Sequence, residues 1–155
     1  MKATSAEIEK SLTTLTKTPR RLAELSAGLD EAHLRFAPDK KSWSVSDNLA
    51  HLRACADVWA FSIYAMLAEN EPVFSDINER KWAKAARYID VPFKESLQVY
   101  SLQRENLIRV LKALPFESWE RSAIIFERKH TVFTQTRRMA LHEQEHWEQI
   151  EKLLK

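Results

Sequence analysis

The segment SVSDNLAHLRACADVWAFSIYAML, residues 44–67, decides the fold. Ser44 with Asp47 three residues later has the form of a capping box, in which hydroxyl and carboxylate satisfy backbone N–H groups left without partners where a helix starts. Apolar residues then recur at helical steps through Val45, Leu49, Leu52, Ala56, Trp59, Ile63 and Met66 or Leu67. The later half is apolar nearly all round, which predicts a helix buried on more than one side.

Such a helix needs partners of similar length, and the flanking sequence supplies three. Upstream, Ile8, Leu12, Leu15, Leu22 and Leu25 make an apolar series interrupted by Pro19, which predicts a helix that kinks or restarts there and closes at Gly28. The polar stretch from Asp30 to Lys41 reads as a connection. Downstream, Glu71 to Asp90 reads as a longer connection with a short helix around Glu79 to Ala86. Asp90 and Pro92 then open a third stripe of Phe93, Leu97, Tyr100, Leu107, Leu111 and Leu114, which Pro115 ends. Phe116 to Lys129 reads as a loop with at most a short extended piece. Thr131 is the candidate N-cap of a last helix carrying Met139, His146, Ile150 and Leu153 on one line. The expected architecture is all-α: one domain over residues 1–155, a four-helix bundle with a kinked first helix and longer connections between helices two and three and three and four.

Composition narrows the function classes. Hydrophobic residues make up 45% of the chain, enough to fill a core, and a single glycine, Gly28, argues against sandwiches, barrels and phosphate-cradling α/β folds. With 24 basic and 22 acidic side chains interspersed, the net charge of +2 offers no electrostatic footprint for nucleic acid. The first 27 residues alternate charged and apolar positions, which fits neither a signal peptide nor a membrane span and leads us to expect a cytoplasmic protein. Cys55 is the only cysteine, consistent with a reducing compartment.

His142 and His146 stand four apart on the last helix, roughly 40° apart around its axis and about 6 Å apart along it. Two imidazoles so placed can grip one ion, or they can be a hydrogen-bonded interior pair. The run His142-Glu143-Gln144-Glu145-His146 also matches the H-E-x-x-H pattern of zinc peptidases. Those enzymes take a further ligand downstream, however, and Glu148 and Glu151, on the same helix, cannot easily reach back. A third ligand must come from another helix, and His51 is the best candidate, with His33 and His130 as competitors in polar stretches. Glu143 is the candidate catalytic residue, as a general base or as a carboxylate that orients a ligand imidazole; the alternative is a partly exposed helix carboxylate. Cys55, one turn beyond His51, is either a fourth ligand or reactive thiol, or a small buried apolar side chain. The five tryptophans either line a substrate pocket or serve as core or dimer contacts.

Ser42-Trp43-Ser44-Val45 leading into Asn48-Leu49-Ala50-His51-Leu52, followed by His142-x-x-x-His146-x-x-Gln149-Ile150 and preceded by Thr18-Pro19, resembles the DinB-like family of helical bundles. The resemblance implies that His51, His142 and His146 bind a divalent ion, usually zinc or nickel, and that the protein is a homodimer. It also implies transferase or isomerase chemistry on a small molecule with a low-molecular-weight thiol as cofactor. The family often has aspartate where this chain has Glu143. Three neutral imidazoles would leave an ion its full charge and an open position, the arrangement of catalytic sites. The leading expectation is therefore a metal-dependent S-transferase; the alternatives are a non-catalytic metal-binding or dimerising bundle and a peptidase-like hydrolase acting through Glu143.

Overall fold

The computed structural model describes residues 2–155. Four long helices dominate it: α1 (Ser5–Ser26), α3 (Val45–Ala68), α5 (Phe93–Lys112) and α6 (Val132–Leu153). Three of them, α1, α3 and α6, start where a local side chain satisfies the first N–H groups, whereas α5 starts at Pro92 with Phe93 N donating to the distant Glu31 carboxylate. Thr4 caps α1, and Ser44 and Asp47 form the expected capping box on α3, with Asp47 N to Ser44 Oγ at 3.0 Å and Ser44 N to Asp47 Oδ2 at 2.9 Å. Thr131 caps α6 reciprocally with Thr134. Gly28, at φ +78, lies just past the C-cap of α1, in the left-handed region that glycine adopts without a Cβ clash.

Helix α1 packs against α5 and α6, and α3 packs against the same two. The α1/α3 and α5/α6 pairs are therefore the diagonals of the bundle, and the chain crosses a diagonal twice. Because α3 and α6 are neighbours, a histidine on one can meet histidines on the other.

The apolar interior falls into two groups. One gathers Leu12, Leu15, Ile63, Met66, Leu107, Phe133 and Met139; the other gathers Leu22, Leu49, Leu52, Phe93, Tyr100 and Ile150. Burying each such side chain contributes roughly 1.5–3 kcal/mol. Between the two groups, on α1, α5 and α6 respectively, lie the fully buried Thr18, Arg104 and Glu143.

One alternative is decided and two expectations need correction. Helix α1 runs through Pro19 without restarting, since buried Leu15 and Leu22 on either side hold the turns together across the missing hydrogen bond. The stretch expected to be only a connection contains a short helix, α2 (Glu31–Arg35), capped by Asp30 and anchored by Leu34. The all-α expectation holds for the bundle but omits a small sheet of β1 (Val73–Phe74), β2 (Ser122–Ile125) and β3 (Arg128–Thr131), in that order. Strands β2 and β3 form an antiparallel hairpin, and β1 adds in parallel to β2. The hairpin turns on Phe126 (φ +46) and Glu127 (φ +61), which occupy a conformation that normally selects Asn-Gly, so the usual sequence signal is missing. Helix α4 (Glu79–Ala85) lies where a short helix was expected and packs on α3. No helix among the described residues is long and apolar enough to cross a membrane.

Candidate metal centre

The capping box fixes where α3 begins, so it also sets the rotation that turns His51 toward α6. There His51, His142 and His146 come together, with His51 Nε2 at 3.2 Å from His142 Nε2 and His142 Nε2 at 3.2 Å from His146 Nε2. One ring nitrogen from each lies within 4.8 Å of the others, the only such grouping of potential ligands among the described residues. Imidazole nitrogens about 2.0–2.1 Å from one ion would be about 2.8–3.4 Å apart at right-angle to tetrahedral geometry, so both short separations fit ligands sharing an ion.

The donors are also in the right chemical state. Burial holds His51 below the ordinary histidine range, with Glu79 opposing and Arg80 assisting. Burial, then the neighbouring His51 and Arg138, bring His142 down to about 4; burial, then His142, His51 and Arg80, bring His146 down to about 3. All three are therefore neutral ligands near pH 7 and have no proton to lose before binding. The sign for stability follows. Unfolded histidines bind a proton below about 6.5, whereas these resist it when folded, so stability is unaffected above that pH and is lost as pH falls toward 4 and 3. Urea midpoints of metal-free protein should fall from pH 7 to pH 4, and the fall should shrink when His142 and His146 are both replaced by asparagine. An unchanged pH dependence in that double variant would refute the assignment.

Asn48, one turn before His51, was not singled out as functional from the sequence. Its Nδ2 donates to the Ser44 carbonyl at 2.9 Å, which fixes the amide so that its Oδ1 faces His146 Nδ1 at 2.8 Å. An acceptor there requires His146 to carry its proton on Nδ1, which turns the Nε2 lone pair toward the other two rings. The signal was present in the three-residue step from Asn48 to His51, which places both on one side of α3. Orienting groups of this kind are worth about 10–100-fold in metal affinity. Asn48→Ala should weaken binding by that factor in chelator competition, and Asn48→Asp, which keeps an acceptor, should weaken it less.

The remaining residues separate by contact. Cys55 is buried with Sγ 3.5 Å from His51 Nε2, and burial, reinforced by Glu79 and Glu143, pushes its thiol far up, so it is a protonated neighbour of the trio. Trp43 meets His51 edge-on at 5.0 Å between centroids and stacks on His146 at 5.8 Å, while Trp59 meets His142 edge-on at 4.9 Å. Trp119 is core, Trp82 hydrogen-bonds Asp57, and Trp147 packs under Arg21. His33 pairs with Asp30 on α2, His130 sits on β3, and neither joins the trio. Glu148 bonds Gln144 and Glu151 bonds Arg21.

Glu143 is not the partly exposed carboxylate of the alternative reading. It is 1% exposed and its Oε1 is bonded to Arg104, itself 1% exposed, in the polar layer between the two core groups. Its position directly after His142 rotates it by about 100° from that residue, into the bundle interior. It makes no hydrogen bond to any of the three imidazoles.

Comparison with known proteins identifies the family and the fold. Residues 14–150 match the model of the DinB superfamily. Over 116 residues, 75% of this chain and 67% of the other, the sequence is 28% identical to "Putative metal-dependent hydrolase BH0277" from Halalkalibacterium halodurans. The fold superposes on YfiT from Bacillus subtilis, described as a probable metal-dependent hydrolase with an unusual four-helix bundle topology. That match has a TM-score of 0.87 at 16% identity and covers 98% of this chain and 88% of that one.

Proposed function

This chain belongs to the DinB superfamily, and on that premise we propose that it is a divalent-metal-dependent enzyme whose ion is held by His51, His142 and His146. The observation that carries the reading is the convergence of three neutral imidazole nitrogens, two of the separations being 3.2 Å. A divalent ion on three neutral ligands supplies Lewis acidity toward water, a thiol or a carbonyl oxygen and keeps a position open for it. The protein's own part is to orient His146 through Asn48, to wall the cluster with Trp43 and Trp59, and to keep the ligands deprotonated by burial.

Hydrolysis of a small substrate is the leading reaction, in keeping with the names of the relative and of the fold neighbour. Peptidase chemistry with Glu143 as base is disfavoured because that carboxylate is 1% exposed, with Oε1 committed to Arg104. The same commitment favours a second reaction, transfer of a low-molecular-weight thiol to an electrophile, since a metal thiolate forms without a dedicated protein base. The deciding experiment incubates zinc-loaded and nickel-loaded protein with ester, amide and phosphoester substrates, then with thiols and electrophiles. Chelator-sensitive hydrolysis supports the first reaction and thiol-dependent conjugation alone supports the second. Inactivity across both panels by protein that holds the metal would favour a non-catalytic bundle.

A further inference from the structure

We propose that Arg80 and Arg138 form a rim over the histidine cluster that recognises a carboxylate on the substrate. Arg80, in the first turn of α4, lies with its guanidinium carbon 5.2 Å from the Trp43 ring centroid, and Trp43 in turn contacts His51 and His146. Arg138, one turn before His142 on α6, lies 4.5 Å from the Trp59 centroid, and Trp59 contacts His142. The same order of arginine, tryptophan and histidine is therefore built twice, from different elements.

Long exposed cations normally sample many rotamers, but a cation–π contact with a large ring restrains the guanidinium. The N–H edges stay available, and they are what binds a carboxylate in two parallel hydrogen bonds. Both sets of edges are unspent. Arg80 makes no hydrogen bond or ion pair among the described residues, and the nearest carboxylate to Arg138 is Glu79 at 3.9 Å, beyond hydrogen-bonding range. Glu79 Oε1 already accepts from Trp59 Nε1 at 2.7 Å. Asp47 lines the recess beside Trp43, His51 and Arg80, but its Oδ2 serves the α3 cap.

Glu79 and Asp47 balance the two guanidinium groups in formal charge, but each carboxylate already accepts a hydrogen bond from the protein, so what the rim offers a substrate is directional N–H groups. The inference rests on the proposed metal-dependent activity, because it places the substrate's anionic end beside the ligands.

The test is calorimetric titration of succinate, succinamide and inorganic phosphate into wild type, Arg80→Gln, Arg138→Gln and Arg80→Lys. Each protein is titrated metal-free and zinc-loaded, with metal content measured on the same samples. Both arginines are exposed, so the variants should fold normally. Succinate should bind and succinamide should not; each glutamine variant should weaken succinate about tenfold with metal content unchanged, and Arg80→Lys, which lacks the planar fork, should recover only part of the loss. Glutamine variants that bind succinate as wild type does, or succinamide binding equal to succinate, would overturn the inference and leave the metal reading intact. Tighter, arginine-dependent phosphate binding would replace carboxylate by phosphate. If wild type takes up no metal, the proposed function fails, and the succinate titrations of the metal-free proteins still decide the role of the rim.

Discussion

Replacing any one of His51, His142 or His146 with alanine is expected to abolish stoichiometric metal binding, from one ion per chain in the wild type to a small fraction of that after desalting. Three imidazoles are the whole donor set from the protein, so losing one removes a third of the protein's ligands and leaves a two-point grip too weak to hold the ion through desalting. The loss should exceed the 10–100-fold expected for Asn48→Ala, because an orienting partner only biases a ligand that is still there. His51 and His142 are half-buried and His146 keeps a small exposed edge, so the variants should retain their helical circular dichroism. Saturating ion should also raise the melting temperature of wild type but of none of the three variants. At a free concentration one hundred times Kd the linkage is about 2.7 kcal/mol, a shift of several degrees. Full metal occupancy with wild-type affinity in any of the variants would remove that residue from the centre.

The bundle was legible because its determinants are local. Ser44 and Asp47, Thr131 and Pro115 mark helix ends by side-chain chemistry that needs no tertiary context, and Leu49, Leu52 and Ile63 advertise a buried face by spacing alone. The sheet was not legible, because β1 has two residues and the β2–β3 turn uses Phe126 and Glu127 where a reader looks for Asn-Gly. For the site, the spacing of His142 and His146 named the pair, but the partner of a helix is a tertiary fact. His51 could be chosen only through the family resemblance and because His33 and His130 lay in polar stretches. Arg80 and Arg138 were invisible, since exposed arginines on amphipathic helices look alike until a tryptophan from elsewhere is found beneath each. The surroundings of Glu143 were hidden for a related reason. Motif spacing placed it beside the metal, whereas only its partner on α5, Arg104, shows that it faces the other way.

That partner makes Arg104 and Glu143 the most costly single positions in the core. Both are buried in the layer that divides the two apolar groups, and burial pushes the Glu143 carboxyl above its ordinary range while Arg104 opposes the shift. Removing either partner leaves an uncompensated charge away from water, which costs about 3–5 kcal/mol. The two losses should differ in their response to pH. In Glu143→Gln the guanidinium cannot give up its proton, so the destabilisation should be nearly constant between pH 5 and 8. In Arg104→Met the carboxyl escapes by staying protonated when folded, so its folded pKa rises further above the unfolded value of about 4.3. Stability is then fully present below that value and lost as pH rises toward the raised folded pKa, making the variant mildest in acid and worst near neutrality. Arg104→Met combined with Glu143→Leu removes both charges and supplies apolar volume that can join the two core groups, so it should be at least as stable as either single variant and within reach of wild type. Urea denaturation of the four proteins at pH 5 and pH 7.5 measures all of this. Because Glu143 contributes no atom to the histidine cluster, Glu143→Gln and the double variant should each still bind one metal ion. Loss of the ion from a folded Glu143→Gln protein would return this carboxylate to the site.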